Sequence, residues 1–407
     1  MGDALPKGWS SLKLSDVADE ISERIDNPSK SGYDRFVGLE HLDSGELTVR
    51  RWGRTTDLIS AMKLFKSGDI LIGRRNAYLR RASKVEFDGV CSGDAYVVRE
   101  KPGTIAERLL PIILNTDAFW DYTVAHASGT MSKRAKWRDL SEYSFTLPSL
   151  PEQRRIASLL WAAEDSIIKG EGFLAAAERA KQVLMGVLFS NGIEHKEFQE
   201  TTFGKIPRIW NILKLYQVSE IVQGAALGRK LKGKTIIIPY LRVANVQDGF
   251  IDTKEIKEME ILDGEKNKWI LKKGDILLTE GGDWDQLGRG GIWDGTITKC
   301  IHQNHIFRVR LNDPNIETHF LHYLINSQFG KLYFLKCSKQ TTNLASINQT
   351  QLKNFPVVIP PLPEQRKIAS ILTRCDETIS AARANVAATK ALKIKMINEM
   401  LNPKANI

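Results

Sequence analysis

Cysteine is scarce in this chain and nowhere clustered. Cys91, Cys300, Cys337 and Cys375 stand far apart and form no C-x-x-C, so they read as reduced, mostly buried thiols of a cytoplasmic protein. Long apolar runs are missing as well. The opening Met1-Gly2-Asp3-Ala4-Leu5-Pro6-Lys7-Gly8-Trp9 holds no apolar core of a secretion signal, and no uninterrupted run reaches membrane length. A soluble, cytoplasmic protein is expected. Catalytic signatures are absent too: there is no G-x-S-x-G, no H-E-x-x-H, no dinucleotide-binding glycine fingerprint and no Asn/Asp-Pro-Pro-Phe/Tyr of an adenine methyltransferase. Glu255-Ile256-Lys257 offers an E-x-K of the nuclease type, but that triplet is common and no matching strand-borne Asp is evident. The chain reads as a binder rather than an enzyme.

What is present is length, positive charge and repetition. With 407 residues, two to three domains are expected, and 42% hydrophobic content is enough to bury sizeable cores. The 58 Lys and Arg against 48 Asp and Glu leave a formal charge of +10, which favours a polyanionic partner through counterion release. Charges of both signs are interspersed, so the excess does not come from a basic disordered tail.

One stretch occurs twice. Residues 147–160 read LPSLPEQRRIASLL and residues 359–372 read IPPLPEQRKIASIL, 212 positions later. The rest of the chain follows the same plan. Pro6, Trp9, Leu12-Lys13-Leu14 and Val17 recur as Pro207, Trp210, Leu213-Lys214-Leu215 and Val218, at an interval of 201. Lys66-Ser67-Gly68-Asp69-Ile70-Leu71 recurs as Lys272-Lys273-Gly274-Asp275-Ile276-Leu277, at an interval of 206. Each Lys-x-Gly-Asp predicts a tight turn, with a buried strand behind it. Further strands are expected at 36–41, 95–99, 240–245 and 306–310, and helices from Leu110 and Leu321. The interval grows along the chain, so the second half carries about 11 extra residues as loop insertions in a shared frame.

Each half ends in a long helical pattern. Pro151 suits a first helical turn and Glu152 complements the helix dipole. Ile156, Leu160, Ile167, Leu174 and Leu184 form one apolar seam, interrupted at Gly170 and Lys181. Ile368, Leu372, Ile379, Val386 and Met396 form the other, broken at Thr389 and Lys393. About 39 residues would span about 58 Å. A helix of that length with one seam needs a partner, and antiparallel pairing of the two with pseudo-two-fold symmetry is expected rather than packing of each on its own globular part alone. The expected fold class is α/β of the α+β type: two similar globular domains separated by two long antiparallel coiled-coil helices. The expected boundaries are 1–149, helix 150–190, linker 191–206, second domain 207–361, helix 362–402 and tail 403–407.

Two tempting motifs fail on context. Residues 228–235, GRKLKGKT, match G-x-x-x-x-G-K-[ST], but a phosphate loop needs a helix to start at its lysine, and here a β-branched, proline-containing run follows. Arg229, Lys230, Lys232 and Lys234 are better used on a nucleic-acid backbone. His302, His305, His319 and His322 form two H-x-x-H pairs, but the first flanks an expected strand, the second lies on the following helix, and the first half has no counterpart of any of the four, so no metal site is expected.

The candidate binding surface is basic, with interleaved aromatics and amides. In the first half it comprises Arg74, Arg75, Asn76, Tyr78, Arg80 and Arg81 after the Gly-Asp-Ile-Leu strand, with Lys133, Arg134 and Lys136 further on. In the second half Trp284, Gln286 and Arg289 hold the matching position, joined by Gln303 and Asn304 and by Lys339, Gln340 and Asn343. The plainer reading of any one basic cluster is a solvated face. Recurrence behind the same strand in both halves favours a binding role for that loop.

The paired LPEQR[RK]IAS[LI]L helix starts, the two Gly-Asp-Ile-Leu segments and the Pro-x-x-Trp openings resemble the DNA specificity subunits of type I restriction-modification systems. Thr279-Glu280-Gly281-Gly282-Asp283 and Gln303-Asn304-His305 are similar to that family as well. The resemblance covers nearly the whole chain. It implies a non-catalytic subunit with two target recognition domains, each reading half of an asymmetric bipartite site on double-stranded DNA, and helices acting as spacer. It also implies two methyltransferase subunits around those helices and restriction (motor-nuclease) subunits joining for cleavage. S-adenosylmethionine, ATP and magnesium would bind those partners and no cofactor this chain. The competing expectations are a coiled-coil scaffold without sequence-specific DNA binding, and a P-loop NTPase or nuclease.

Overall fold

In the computed structural model of the chain, residues 5–129, 132–201, 204–282, 287–340 and 345–401 are described. The chain divides into two compact units, Met1–Gly172 with Arg383–Ile407, and Phe173–Ala382. The division cuts through both long helices, Leu150–Asn191 and Leu362–Met400, so each unit holds the first turns of one helix and the last turns of the other.

The central sheet of the first unit has the order Ala18–Ile21, Ala95–Glu100, Ile70–Gly73, Ala82–Lys84, antiparallel throughout. That of the second unit has the order Ser219–Gln223, Ile306–Leu311, Ile276–Thr279, Gly290–Ile292, again antiparallel. Both contain the Gly-Asp-Ile-Leu strand, and the repeated motif has a physical cause. Gly68 and Gly274 have φ of +99° and +93°, a conformation that costs other residues energy. The next residue, Asp69 or Asp275, is buried and accepts the backbone N–H of Lys66 or Lys272 at 2.7 and 2.6 Å, closing the turn. Its two oxygens also take a bidentate guanidinium from the neighbouring strand, Arg99 or Arg310, each bond 2.7 Å. A charged fork of this kind is worth more than a neutral hydrogen bond. Ile70, Leu71 and Ile72, like Ile276, Leu277 and Leu278, are fully buried.

A second sheet flanks each central one. In the first unit its order is Arg24–Ile25, Met62–Phe65, Gly89–Cys91, Arg35–Val37, Gly53–Arg54, and in the second Lys257–Leu262, Thr235–Leu241, Ile301–His302. Each contains one parallel pairing, Phe36–Val37 with Val90–Cys91 and Tyr240–Leu241 with Ile301–His302. The α+β reading is therefore met in each unit. A two-stranded ribbon then leads into each long helix: Ser10–Lys13 with Ser144–Leu147, and Asn211–Lys214 with Pro356–Ile359. Residues 191–206, read from sequence as a linker, include a strand, Phe198–Thr201, paired antiparallel with Gly204–Pro207. The tail expected at 403–407 lies outside the described residues.

The long helices pair in antiparallel sense within each unit. In the first unit Ile156 and Leu160 share a buried cluster with Ile397 of the other helix, with Met396 packed partly buried against it. In the second, Met185, Leu188 and Phe189 share a cluster with Ile368 and Leu372, and Leu184 packs against it. Ile167, Ile379 and Val386 are buried, and Leu174 is half-buried. The interruptions expected in the seam are structural features. Gly170 faces Val386, whose Cγ2 would lie 2.7 Å from a Cβ placed there, so the glycine makes room for the valine. Lys393 lies in the seam 8% exposed and donates to Glu164 at 2.6 Å. Among the described residues no helix is long and apolar enough to cross a membrane.

Candidate nucleic-acid interface

In the first unit the loop after Ile70–Gly73 and the segment 132–137 are distant in sequence and meet in space. Asn76 N–H donates to the Lys133 carbonyl and Ala135 N–H to the Arg74 carbonyl, both at 2.9 Å. The Tyr96 hydroxyl, from the middle strand, donates to the Ala135 carbonyl at 3.0 Å and accepts from Trp137 N–H at 2.9 Å. The loop is thus seated on the sheet by a buried phenol. Arg75 Nε donates to Ser132 Oγ, which in turn donates to Asn76 Oδ1, both at 3.0 Å. Asn76 and Arg80 adopt the left-handed conformation on either side of the turn Ala77–Leu79, a costly geometry for arginine. Tyr78 stands at that turn, 62% exposed.

Asp94 is the electrostatic centre of this surface. Arg74, Arg75 and Arg134 each place a guanidinium nitrogen 3.5, 3.7 and 3.6 Å from its carboxylate. One carboxylate shared by three arginines leaves local positive charge of the kind a phosphate would meet. Arg80 is committed differently, to Asp117 at 2.5 Å and Asp121 at 2.9 Å on the helix Asp117–His126. Lys133 and Lys136 are exposed, and Arg81 is half-buried, its carbonyl accepting Gly73 N–H.

In the second unit three segments singled out separately converge. Glu280 N–H donates to the His305 carbonyl at 3.0 Å, and Ile347 N–H to the Glu280 carbonyl at 2.8 Å. The strand Ala345–Ser346 lies between Gly281–Gly282 and Lys339–Gln340. These bonds repeat the ladder of the first unit: Thr279 N–H donates to the Arg289 carbonyl where Gly73 N–H donates to that of Arg81. Glu280 therefore stands where Arg74 does, and His305 where Asp94 does. They pair with reversed polarity, His305 Nδ1 to Glu280 Oε2 at 2.7 Å. Gln303 and Asn304 are half-buried in the same turn, which rests on Gly224, where a Cβ would lie 2.1 Å from the His302 carbonyl oxygen. Trp284, Gln286 and Asn343 lie outside the described residues.

The basic 228–235 segment stands beside a different part of the second unit. Thr235 opens the strand Thr235–Leu241, so no helix starts where a phosphate loop requires one. Arg229 pairs with Glu265 at 2.7 Å and stacks over Trp269 at 5.1 Å, and Lys234 reaches Asp263 at 3.5 Å. Lys230 and Lys232 are exposed. His302 and His322 are buried. Burial pushes both imidazoles down to about 4, against hydrogen bonds to the carbonyls of Val222 and Trp269 and of Gly290, respectively. His305 and His319 pair with the carboxylates of Glu280 and Glu317.

Sequence reasoning missed Asp94, Tyr96 and Glu164. The acid Glu164 could have been found by the repeat, since Asp376 follows it at the same interval of 212 that separates Lys181 from Lys393.

Comparison with known proteins follows the same lines. Residues 207–387 match the family model described as the type I restriction modification DNA specificity domain. The MjaVIII specificity subunit of Methanocaldococcus jannaschii, described as that of a type I restriction enzyme, is 23% identical over 100% of this chain and 95% of its own. A putative MjaX specificity subunit from the same organism is 29% identical over 51% of this chain. That match spans about half of the relative's length, 49%. The solved S subunit of a type I restriction-modification system from M. genitalium superposes with a TM-score of 0.59, at 13% identity, over 99% of this chain and 98% of that one, a likeness of fold.

Proposed function

The chain belongs to the DNA specificity subunits of type I restriction-modification systems, and on that premise we propose that its two units read the two halves of an asymmetric bipartite site on duplex DNA. The observation that carries this reading is the pair of equivalent ladders with unlike side chains. At one position of the same backbone frame the first unit offers Arg74 beside Asp94, and the second Glu280 beside His305. An arginine fork suits guanine edges and phosphates, whereas a carboxylate accepts from the cytosine amino group, so the two frames favour different bases. In the first unit the readers are Arg74, Arg75, Asn76, Tyr78, Lys133, Arg134 and Lys136. In the second they are Glu280, Arg289, Gln303, Asn304 and the segments at 283–286 and 339–343. Arg229, Lys230, Lys232 and Lys234 serve the backbone.

The subunit carries no chemistry of its own. The long helices hold methyltransferase subunits and set the gap between the half-sites, and motor-nuclease subunits join for cleavage. S-adenosylmethionine, ATP and magnesium act on those partners. The test is methylation mapping of DNA from cells carrying this chain with its methyltransferase subunit. Two unrelated half-sites at one fixed gap are expected. A single continuous site, or a palindrome, overturns the reading.

A further inference from the structure

Both helix pairs contain a charged residue in the apolar seam, and the two occurrences are related by the repeat. Lys393 pairs with Glu164 in the first unit and Lys181 with Asp376 in the second. The acids are 212 residues apart and so are the lysines. In each unit the acid also receives a side chain from the globular body. Glu164 accepts from Arg50 at 3.1 Å, and Asp376 accepts from the Tyr323 hydroxyl at 2.7 Å, which also lies 3.2 Å from Thr373. The helix half of each junction is thus duplicated, while the body half differs: an arginine from a loop in one unit, a tyrosine from the helix Thr318–Asn326 in the other.

The first junction is the more extended. Arg50 also donates to Glu171 at 2.6 Å and lies 3.4 Å from Glu46, and Lys390 reaches Glu171 at 2.6 Å. Three cations face three carboxylates. Burial opposes the charge on Arg50, but the hydrogen bond to Glu171 and the nearby glutamates outweigh it and hold its pKa above the ordinary value. Packing contributes on one side only, where Leu47 of the same loop is fully buried in the cluster that holds Leu160 and Ile397. A cavity of about 370 Å³ opens beside the network, between the loop of Ser44 to Leu47 and the helix residues Ile167 and Ile394. On the side of that cavity the directional charged bonds add to the packing of Leu47 in holding the loop against the helices.

We propose that Arg50 and Tyr323 are positioning residues: through Glu164 and Asp376 each fixes the angle at which its recognition unit meets the helix pair, and so restricts the gap between half-sites that the protein accepts. The inference rests on the bipartite reading above. It differs from a purely structural role in what it affects, namely tolerance to gap length and neither half-sequence.

The experiment uses the full chain in complex with its methyltransferase subunit, with Arg50→Met, Arg50→Lys and Tyr323→Phe. Arg50→Met strands no buried acid, because Glu164 keeps Lys393 and Glu171 keeps Lys390. Tyr323→Phe removes one hydroxyl. Binding is measured on duplexes with both half-sites constant and the gap stepped by one base pair, and the half-site sequences are selected separately from randomised DNA. The wild type should prefer one gap. Arg50→Met and Tyr323→Phe should each lower that preference over the neighbouring gaps by about tenfold, as coupled contacts do when one is removed. Arg50→Lys should retain most of it, and all variants should select the wild-type half-sites. Unchanged gap preference, or altered half-sites instead, overturns the proposal. Should Arg50→Met not fold, Tyr323→Phe decides alone by the same criterion. A wild type with no bipartite target would sink the functional reading itself, which separates the two failures.

Discussion

Gln153 and Gln365 make the same pair of hydrogen bonds at the starts of the two long helices. The amide oxygen of each accepts a backbone N–H from its own unit, Ala106 at 3.0 Å and Glu317 at 2.9 Å. The amide nitrogen of each donates at 2.8 Å to a proline carbonyl just before the helix, Pro148 and Pro360. Both side chains are buried, 4% and 0% exposed. The P-E-Q-R motif therefore ties the first turn of each helix to the body it leaves. Gln153→Leu or Gln365→Leu strands a buried donor and acceptor, and should lower stability by about 1–3 kcal/mol per lost partner. Chemical denaturation, followed separately in each unit by hydrogen exchange, checks this.

Asp94 restrains three arginines at the candidate reading surface. Asp94→Asn should raise non-specific DNA affinity several-fold and steepen its dependence on salt, because a carboxylate next to the phosphates is removed. Binding isotherms between 50 and 200 mM salt read both effects. An unchanged slope would show that the arginines do not face DNA.

Lys230 and Lys232 are exposed in the basic segment before Thr235. If they neutralise phosphates, the double variant Lys230→Gln/Lys232→Gln should lower the slope of log K against log salt by about two and leave the half-site sequence untouched. Loss of sequence preference without a change of slope would assign them to bases instead.

Glu100 ends the middle strand of the first unit, and burial, reinforced by Glu107 against Lys84, raises its carboxyl to about 7. The folded state then binds a proton that the unfolded chain releases near its ordinary value of about 4.3. Stability from this group is full at acid pH and falls as pH rises from about 4.3 to 7. Glu100→Gln should remove that slope and raise the melting temperature at pH 8 by a few degrees. Thermal unfolding from pH 5 to 8 measures it.

His302 and His322 act with the opposite sign. Their folded values of about 4 lie below the unfolded value of about 6.5, so the unfolded chain binds more protons between those limits. The second unit should lose stability as pH falls from 6.5 toward 4. Amide exchange at pH 5, compared at matched intrinsic rates with pH 7.5, should accelerate around Ile301 and Tyr323. Equal protection at both values would contradict the burial of neutral imidazoles.

Much of the framework was legible because it occurs twice. The Lys-x-Gly-Asp turns, the strands behind them and the helix starts each depend on a few consecutive residues: a glycine at positive φ, an aspartate closing its own turn, a proline at a first helical position. The Arg99 and Arg310 partners of those aspartates were not legible. Each forms its fork only because the strands pair in one register, and register is a tertiary quantity.

The amino-acid sequence by itself determined the duplication, the strand and helix types, the seam of each long helix and the basic character of the loops, since these follow from local conformation, periodicity and composition. Only the tertiary structure decided what the polar exceptions were for. Lys393, read as a break in the seam, is held by Glu164 and through it by Arg50, 229 and 343 positions away in the chain. Three separate loop segments of the second unit became one surface through the backbone bonds of Glu280 to His305 and Ile347. A charge in a seam and a residue in a loop take their meaning from what folding brings against them, and no local pattern carries that information.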